Sequence, residues 1–140
     1  MNLKKFNLIG LDTNIFSYQF HQDPQFGLLT KKIFDELSKD NLQAVTSVVT
    51  LIEILSVRVS LSKVKQLKEL FLRTPNLSIL DVNHEIALEA AAIRRKYGFR
   101  TPDAIQLATA KLNRAKAFVT NDERLKNYLG LKIILLSAIK

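Results

Sequence analysis

The sequence predicts an α/β fold with a central, mainly parallel sheet. Short apolar runs alternate along the chain with longer segments in which apolar residues recur at the helical period. Strands joined by helices of this length are expected to run parallel, because a parallel connection needs a dozen or more residues. No internal repeat, low-complexity tract or Pro/Gly-rich linker interrupts the pattern, so we expect one domain over residues 1–140.

The first five elements follow from these patterns. FNLIGL (6–11) is short and apolar and predicts a buried strand, and DTNIFSYQF (12–20) predicts a turn and a helix. PQFGLLTKKIFDELSKD (24–40) has five apolar residues at helical spacing and predicts a helix. LQAVT (42–46) predicts the second strand. SVVTLIEILSVRVS (47–60), the most hydrophobic run of the chain, predicts a buried helix.

The middle of the chain continues the alternation. LSKVKQLKELFLRT (61–74) predicts a more basic helix, and LSILDV (77–82) predicts a strand. NHEIALEAAAIRRKYG (83–98) predicts a helix that has Asn83 as its N-cap and ends at Gly98.

The last part of the chain supplies the remaining elements. In the helix predicted for TPDAIQLATAKLNRA (101–115), we place Thr101 at the N-cap and Pro102 at the first helical position. The segments that follow are a strand, a short helix and a final strand: AFVT (117–120), DERLKNYLG (122–130) and LKIILLS (131–137).

Composition narrows the classes of function. The chain has 21 Lys and Arg against 13 Asp and Glu, a net charge of +8, which favours anionic partners and nucleic acid first. It has no cysteine, which excludes disulfides, thiolate zinc sites and cysteine nucleophiles. No run reaches the roughly 18 apolar residues that a membrane span requires. We expect a soluble, cytoplasmic protein with no membrane partner.

Two acidic residues stand where a ligand site is expected, at the carboxyl ends of parallel strands, and two more lie on neighbouring helices. Asp12 ends NLIGLD, Asp122 follows AFVTN, Asp103 lies in the first turn of its helix, and Glu53 lies on the helix after LQAVT. Each also has a structural interpretation. Asp12 and Asp122 precede helices and are candidate N-caps, and Asp103 complements a helix dipole.

Glu53 is the hardest of the four to explain structurally. Its neighbours four positions away are Val49 and Val57, so we predict that it is buried in an apolar stripe and faces a cation. Converging carboxylates repel by roughly 4 kcal/mol per close pair at an effective dielectric near 20, and a divalent cation reverses that cost. Oxygen ligands without His or Cys favour Mg²⁺ or Mn²⁺, and acidic metal sites on basic proteins suggest phosphodiester chemistry.

Four segments together resemble the signature blocks of PIN-domain nucleases, most closely the VapC-like toxins of type II toxin–antitoxin pairs. They occur in the family's order: LDTNIF (11–16), SVVTLIEIL (47–55), RTPDAIQLATA (100–110) and VTND (119–122). The resemblance implies a three-layer α/β/α sandwich and a Mg²⁺- or Mn²⁺-dependent endoribonuclease that hydrolyses RNA.

The resemblance also implies roles for individual residues. Asp12, Glu53, Asp103 and Asp122 match the family's acidic quartet, with catalytic and metal-binding roles, and Asp12 and Asp103 would be the most direct ligands. The neighbouring polar residues are expected to hydrogen-bond around the site; they are Thr13, Asn14 and Thr120.

Partners are implied in the same way. The family forms homodimers and binds a cognate antitoxin, for which the helical pair 47–74 is the candidate contact; the alternative is that its apolar residues only pack the core. Arg100 is a candidate RNA contact beside Asp103. Tyr97 and Phe99 are candidates for base stacking, although core packing is the better interpretation of Phe99.

Other functions stay open at this point. A housekeeping RNA-processing PIN ribonuclease and a non-catalytic RNA-binding module on the same fold are both compatible with the sequence. A phosphatase with an Asp nucleophile is disfavoured, because Asn14 stands where that family has a second Asp. The four glycines form neither a Rossmann nor a P-loop pattern, and no G-x-S-x-G is present.

Overall fold

The computed structural model describes residues 1–139 and confirms the α/β fold with a parallel sheet. The five strands are β1 (Leu8–Leu11), β2 (Gln43–Ser47), β3 (Leu77–Leu80), β4 (Ala117–Thr120) and β5 (Lys132–Leu135). All neighbouring pairs are parallel, and the order across the sheet is β3-β2-β1-β4-β5.

Helices cover both faces of the sheet. They are α1 (Thr13–Phe20), α2 (Gly27–Ser38), α3 (Val48–Leu55), α4 (Leu61–Leu72), α5 (His84–Tyr97) and α6 (Thr101–Leu112). In one buried cluster, helices α1, α2, α3 and α4 pack against one face of the sheet. In a second cluster, α5 and α6 pack against the other face. This is the three-layer sandwich that the family resemblance implied.

Alternating side chains along the strands divide the core between these two layers. Ile9 and Leu11 of β1 belong to the first cluster, whereas Gly10 between them faces α6. A Cβ on Gly10 would lie 2.6 Å from the Cβ of Ala110 and 2.7 Å from a ring carbon of Phe118. Glycine is therefore needed here for the close approach of α6 to the central strand.

Several element boundaries differ from the prediction for local reasons. The strand predicted for residues 6–11 begins at Leu8, because Leu3–Phe6 forms a 3₁₀ turn that Asn2 caps by accepting from the amide of Lys4. The helix predicted for 24–40 begins at Gly27, because the Asp23 carboxylate accepts from two following amides and holds a turn. The strands predicted for 77–82 and 131–137 are also shorter than expected.

The ends of the later helices agree with the prediction in some cases and differ in others. Asn83 caps α5 by accepting from the amide of Ile86, and Gly98 ends it with φ 72°, both as predicted. The N-cap of α6 is Arg100 rather than Thr101, so Thr101 and Pro102 both lie inside the first turn. The segment 122–130 forms only a 3₁₀ helix, Glu123–Asn127. A third 3₁₀ helix, Leu136–Ala138, follows β5.

The helix predicted for 47–60 is the largest difference. Here α3 ends at Leu55, where the hydroxyl of Ser56 donates to the carbonyl of Ile52 and satisfies it locally. The structure contains no helix within residues 1–139 whose length and hydropathy would let it cross a membrane.

Candidate active site

The acidic residues meet where the strand order changes direction. The chain passes from β1 to β2 and β3 on one side and later returns to β4 and β5 on the other side of β1. Ligands of open parallel sheets bind at the carboxyl ends of the strands beside such a switch point. The backbone amide of Asp12, just beyond β1, donates to the carbonyl of Val119 in β4 at 3.0 Å, which fixes the two strand ends side by side.

Asp12 is the most buried of the four acids, with 5% of its surface exposed. Its Oδ1 accepts from the backbone amide of Thr13 at 2.8 Å, and its Oδ2 accepts from the hydroxyl of Thr120 at 2.7 Å. Burial raises the pKa of the Asp12 carboxyl to about 6, against the two hydrogen bonds, and the charges of Asp103 and Glu53 add to the rise. Asp12 is thus the N-cap of α1 and also a destabilised anion.

Asp103 is also buried, and cations lie beside it. It stands in the first turn of α6, where the helix dipole favours a negative charge. Its Oδ2 accepts from Nε of Arg100 at 3.2 Å and lies 3.7 Å from Nη2 of Arg124. Both guanidinium groups are largely exposed, so these pairs hold the carboxylate loosely.

Asp122 is held by the same arginine. The carboxylate accepts from Nε of Arg124 at 3.0 and 3.1 Å and from Nη2 of that residue, and it caps the following 3₁₀ helix. Hydrogen bonds from Arg124 hold the pKa of the Asp122 carboxyl below its usual value, against partial burial. Arg124 therefore bridges Asp122 and Asp103. Sequence reasoning missed this arginine, although its position two residues after an N-cap acid is a signal for such a pair.

Glu53 does not lie where the sequence predicted. It is exposed, whereas the buried residues of α3 are Thr50 and Ile54. The apolar stripe predicted from Val49 and Val57 does not form, because α3 has only eight residues and ends before Val57, which is 38% exposed. The carboxylate of Glu53 still points to the site, since its Oε1 accepts from the hydroxyl of Thr13 at 2.7 Å.

The predicted polar neighbours do hydrogen-bond around the acids. Besides the bonds of Thr13 and Thr120, the side-chain oxygen of Asn14 accepts from the backbone amide of Asn121 at 3.3 Å. The amide side chain of Asn121 donates to the hydroxyl of Tyr18 at 2.9 Å. Of the two adjacent residues, Asp122 is therefore the one that shares a cation with Asp103.

Two aromatic residues near α6 pack against each other. The rings of Tyr97 and Phe99 are stacked with centroids 5.3 Å apart and planes 8° apart, and Phe99 is buried. Core packing is thus confirmed for Phe99. Sequence reasoning also missed Gln106, a buried amide one helical turn after Asp103 that bonds to Thr13.

The donor set fits a hard divalent cation, because the converging groups are carboxylates with no imidazole or thiolate among them. In the arrangement seen here, however, no three Asp, Glu or His side chains within residues 1–139 are grouped closely enough to hold an ion. A guanidinium cation lies between two of the acids instead, and metal ligation by the quartet stays a prediction.

Comparisons with known structures agree with this fold. VapBC2 from Rickettsia felis, solved with a promoter DNA fragment, is 20% identical with a TM-score of 0.73, covering 91% of this chain and 98% of that one. A toxin–antitoxin complex from Klebsiella pneumoniae is 25% identical with a TM-score of 0.70, covering 91% and 97%. DNA-bound VapBC from Salmonella typhimurium is 20% identical with a TM-score of 0.69, covering 91% and 97%.

Two sequence comparisons were informative in different ways. No curated protein matches the chain. The model of the PIN domain, in contrast, matches residues 9–130, which include all four acids and every strand except the first residue of β1 and the whole of β5. The chain belongs to the PIN domain family.

Proposed function

We propose that this protein is a divalent-metal-dependent endoribonuclease and the toxin of a type II toxin–antitoxin pair. The observation that carries the proposal is the electrostatics of Asp12. Its carboxyl is buried, and its pKa is raised in part by the charges of Asp103 and Glu53, which come from distant parts of the chain. A divalent cation bound among these carboxylates would relieve their mutual repulsion.

Mg²⁺ or Mn²⁺ would be held by Asp12 and Asp103, with Glu53 and Asp122 completing the set. When bound, the ion supplies neutralisation of phosphate charge and activation of a water molecule at neutral pH. The chain's own residues prepare the ligands. Thr120 fixes one oxygen of Asp12, and Thr13 fixes both the other oxygen of Asp12 and the carboxylate of Glu53.

Two arginines next to the acids suit an RNA substrate. The side chains of Arg100 and Arg124 are 65% and 60% exposed, and both are within 4 Å of Asp103. In our proposal both arginines leave the carboxylates when the ion binds and become free to bind RNA phosphates. The net charge of +8 supports the same substrate class through general attraction of the backbone.

The toxin role is supported by the solved complexes to which the chain is similar, since those are VapBC or toxin–antitoxin assemblies. For the antitoxin contact we propose the helical pair 47–74. This segment exposes several large apolar side chains, among them Ile52, Val57, Val59 and Leu61. We also propose that the protein forms a homodimer.

A cleavage assay tests the enzyme. Wild-type protein should cut RNA with Mg²⁺ or Mn²⁺ and stop with EDTA, and Asp103→Asn should lose at least ~100-fold in rate. Asp81→Asn is the matched control, because Asp81 also follows a strand at this edge of the sheet but is exposed. Equal rates for wild type and Asp103→Asn would refute the site. RNA binding in EDTA without cleavage under any condition would favour the non-catalytic module.

Inducible expression in bacteria tests the toxin role. Growth arrest by wild type, its absence with Asp12→Asn, and its reversal by co-expression of a small neighbouring open reading frame are the expected results. RNA cleavage in vitro without growth arrest would instead favour the housekeeping ribonuclease. RNA sequencing of the arrested cells would then identify which RNA is cut and where.

A further inference from the structure

A buried network of hydroxyl and amide groups lies between Glu53 and the sheet, and Gln106 of α6 is at its centre. The side chain of Gln106 is 2% exposed. Its Oε1 accepts from the hydroxyl of Ser47 at 2.9 Å. Its Nε2 lies within hydrogen-bond distance of two other hydroxyls, those of Thr50 and Thr13, the latter at 3.2 Å. One amide thus connects α6 with the end of β2, α3 and the start of α1.

The direction of each hydrogen bond follows from counting protons, since a hydroxyl carries only one. The hydroxyl of Thr46 donates to the backbone carbonyl of Leu11 at 3.1 Å, and a carbonyl can only accept. Thr50, 2.7 Å from Thr46, must therefore donate to it. Its own oxygen is then left to accept from Gln106, which requires the NH₂ end of the amide to face Thr50.

The same reasoning applies to Thr13. Its hydroxyl donates to the carboxylate of Glu53 at 2.7 Å, because an ionised carboxylate has no proton to give. The oxygen of Thr13 lies 3.2 Å from that of Thr50, but neither hydroxyl has a second proton for that contact. Thr13 is oriented instead by the second proton of the Gln106 amide.

Glu53 depends on this orientation more than the other acids do. It is exposed, it lies on a helix of eight residues, and among residues 1–139 its carboxylate has no hydrogen-bond partner except Thr13. We propose that Gln106 is a positioning residue. By donating to Thr13 it directs the Thr13 hydroxyl at Glu53, and so sets where the Glu53 carboxylate stands in the metal site. This inference rests on the proposed function.

Metal affinity in a double-mutant cycle tests the link. Calorimetric titration with Mn²⁺ alone, without RNA, should show about tenfold weaker binding for Gln106→Met, which keeps the volume but removes both donors. In a Glu53→Gln background the same substitution should change Mn²⁺ affinity less than about twofold. An equal loss in both backgrounds, or no loss in either, would overturn the positioning role.

A matched control separates positioning from general loosening of the buried network. Thr46→Val removes a hydroxyl at the far end of the network and leaves the Gln106–Thr13 bond in place, so we expect lower stability but unchanged Mn²⁺ affinity. Should Gln106→Met fail to fold, Gln106→Asn serves instead, because the shorter side chain keeps an amide in the buried network but withdraws it from Thr13. Its effect should show the same dependence on Glu53.

A second measurement needs no metal. Three-bond NMR couplings should report one χ1 rotamer for Thr13 in the wild type and averaging among rotamers in Gln106→Met. A single unchanged rotamer in the variant would contradict the proposal. If the wild type binds no Mn²⁺ at all, the proposed enzymatic function fails, and the Thr13 couplings still decide whether Gln106 orients Thr13.

Discussion

Replacing Asp12 by Asn should stabilise the metal-free protein at neutral pH. The Asn side chain has nearly the same shape, and its oxygen can still accept from the amide of Thr13. Its NH₂ group can donate to the hydroxyl oxygen of Thr120, which in the wild type donates to Asp12. The substitution therefore removes a buried charge, keeps the hydrogen bond from Thr13 and reverses the direction of the one with Thr120.

The magnitude follows from the pKa of Asp12, which is raised from 3.8 to about 6 by burial and then by the charges of Asp103 and Glu53. Below pH 3.8 the carboxyl is protonated in both the folded and the unfolded chain. Between the two pKa values the folded state binds the proton more tightly, so stability falls as pH rises. Above pH 6 the charged carboxylate costs the folded state about 3 kcal/mol, at ~1.4 kcal/mol per pKa unit.

Urea unfolding of both proteins in EDTA, from pH 4.5 to 7.5, measures the cost of the charged Asp12 carboxylate in the folded state. The free energy of unfolding of Asp12→Asn minus that of the wild type should rise by about 2 kcal/mol across the range. The lowered pKa of Asp122 makes the folded state less stable as pH falls. This effect occurs below pH 4 and is the same in both proteins. Asp81→Asn, which removes an exposed carboxylate, is the matched control.

The addition of Mn²⁺ should reverse the order, because only the wild type gains binding energy from the ion. A difference in unfolding free energy that stays flat with pH would refute the reasoning. A variant less stable than the wild type at pH 7.5 would refute it as well, since burial would then not disfavour the charged form.

Three further substitutions test other parts of the structure. Arg124→Gln should tighten Mn²⁺ binding several-fold by calorimetry, because no guanidinium then competes for Asp122; weaker binding would contradict this. Gly10→Ala should lower the free energy of unfolding in urea by about 1–3 kcal/mol, because its Cβ would overlap Ala110. Tyr128→Phe should unfold at the same or slightly higher urea concentration, because the Tyr128 hydroxyl is buried without a hydrogen-bond partner among residues 1–139. A clear loss of stability in that variant would indicate a partner.

Much of the fold was predictable because its signals are local. The strand AFVT matches β4 residue for residue, since it is a wholly buried apolar run with clear boundaries. The ends of α5 were predictable because Asn83 and Gly98 act on the immediately adjacent backbone. The positions of the four acids relative to the strands followed from the α/β alternation alone.

The features that could not be predicted depend on contacts between distant segments of the chain and on the length of a helix. The apolar neighbours of Glu53 indicate burial only if the helix is long enough to lie against the core, and α3 ends two residues later. The pairing of Arg124 with Asp122 is local, but its contact with Asp103 joins α6 to the segment after β4. The amide of Gln106, on α6, contacts three other segments that no periodicity relates to it.

The corrected position of Glu53 changes which acid makes the site need a cation. Glu53 is exposed, so water already solvates much of its charge. Asp103 and Asp122 both have arginine nitrogens within 4 Å. Asp12 is buried, and among residues 1–139 no Lys, Arg or His nitrogen lies within 4 Å of it, so its hydrogen bonds come from neutral groups only. A divalent ion therefore gains most beside Asp12, which is why one substitution there should both stabilise the empty protein and abolish its function.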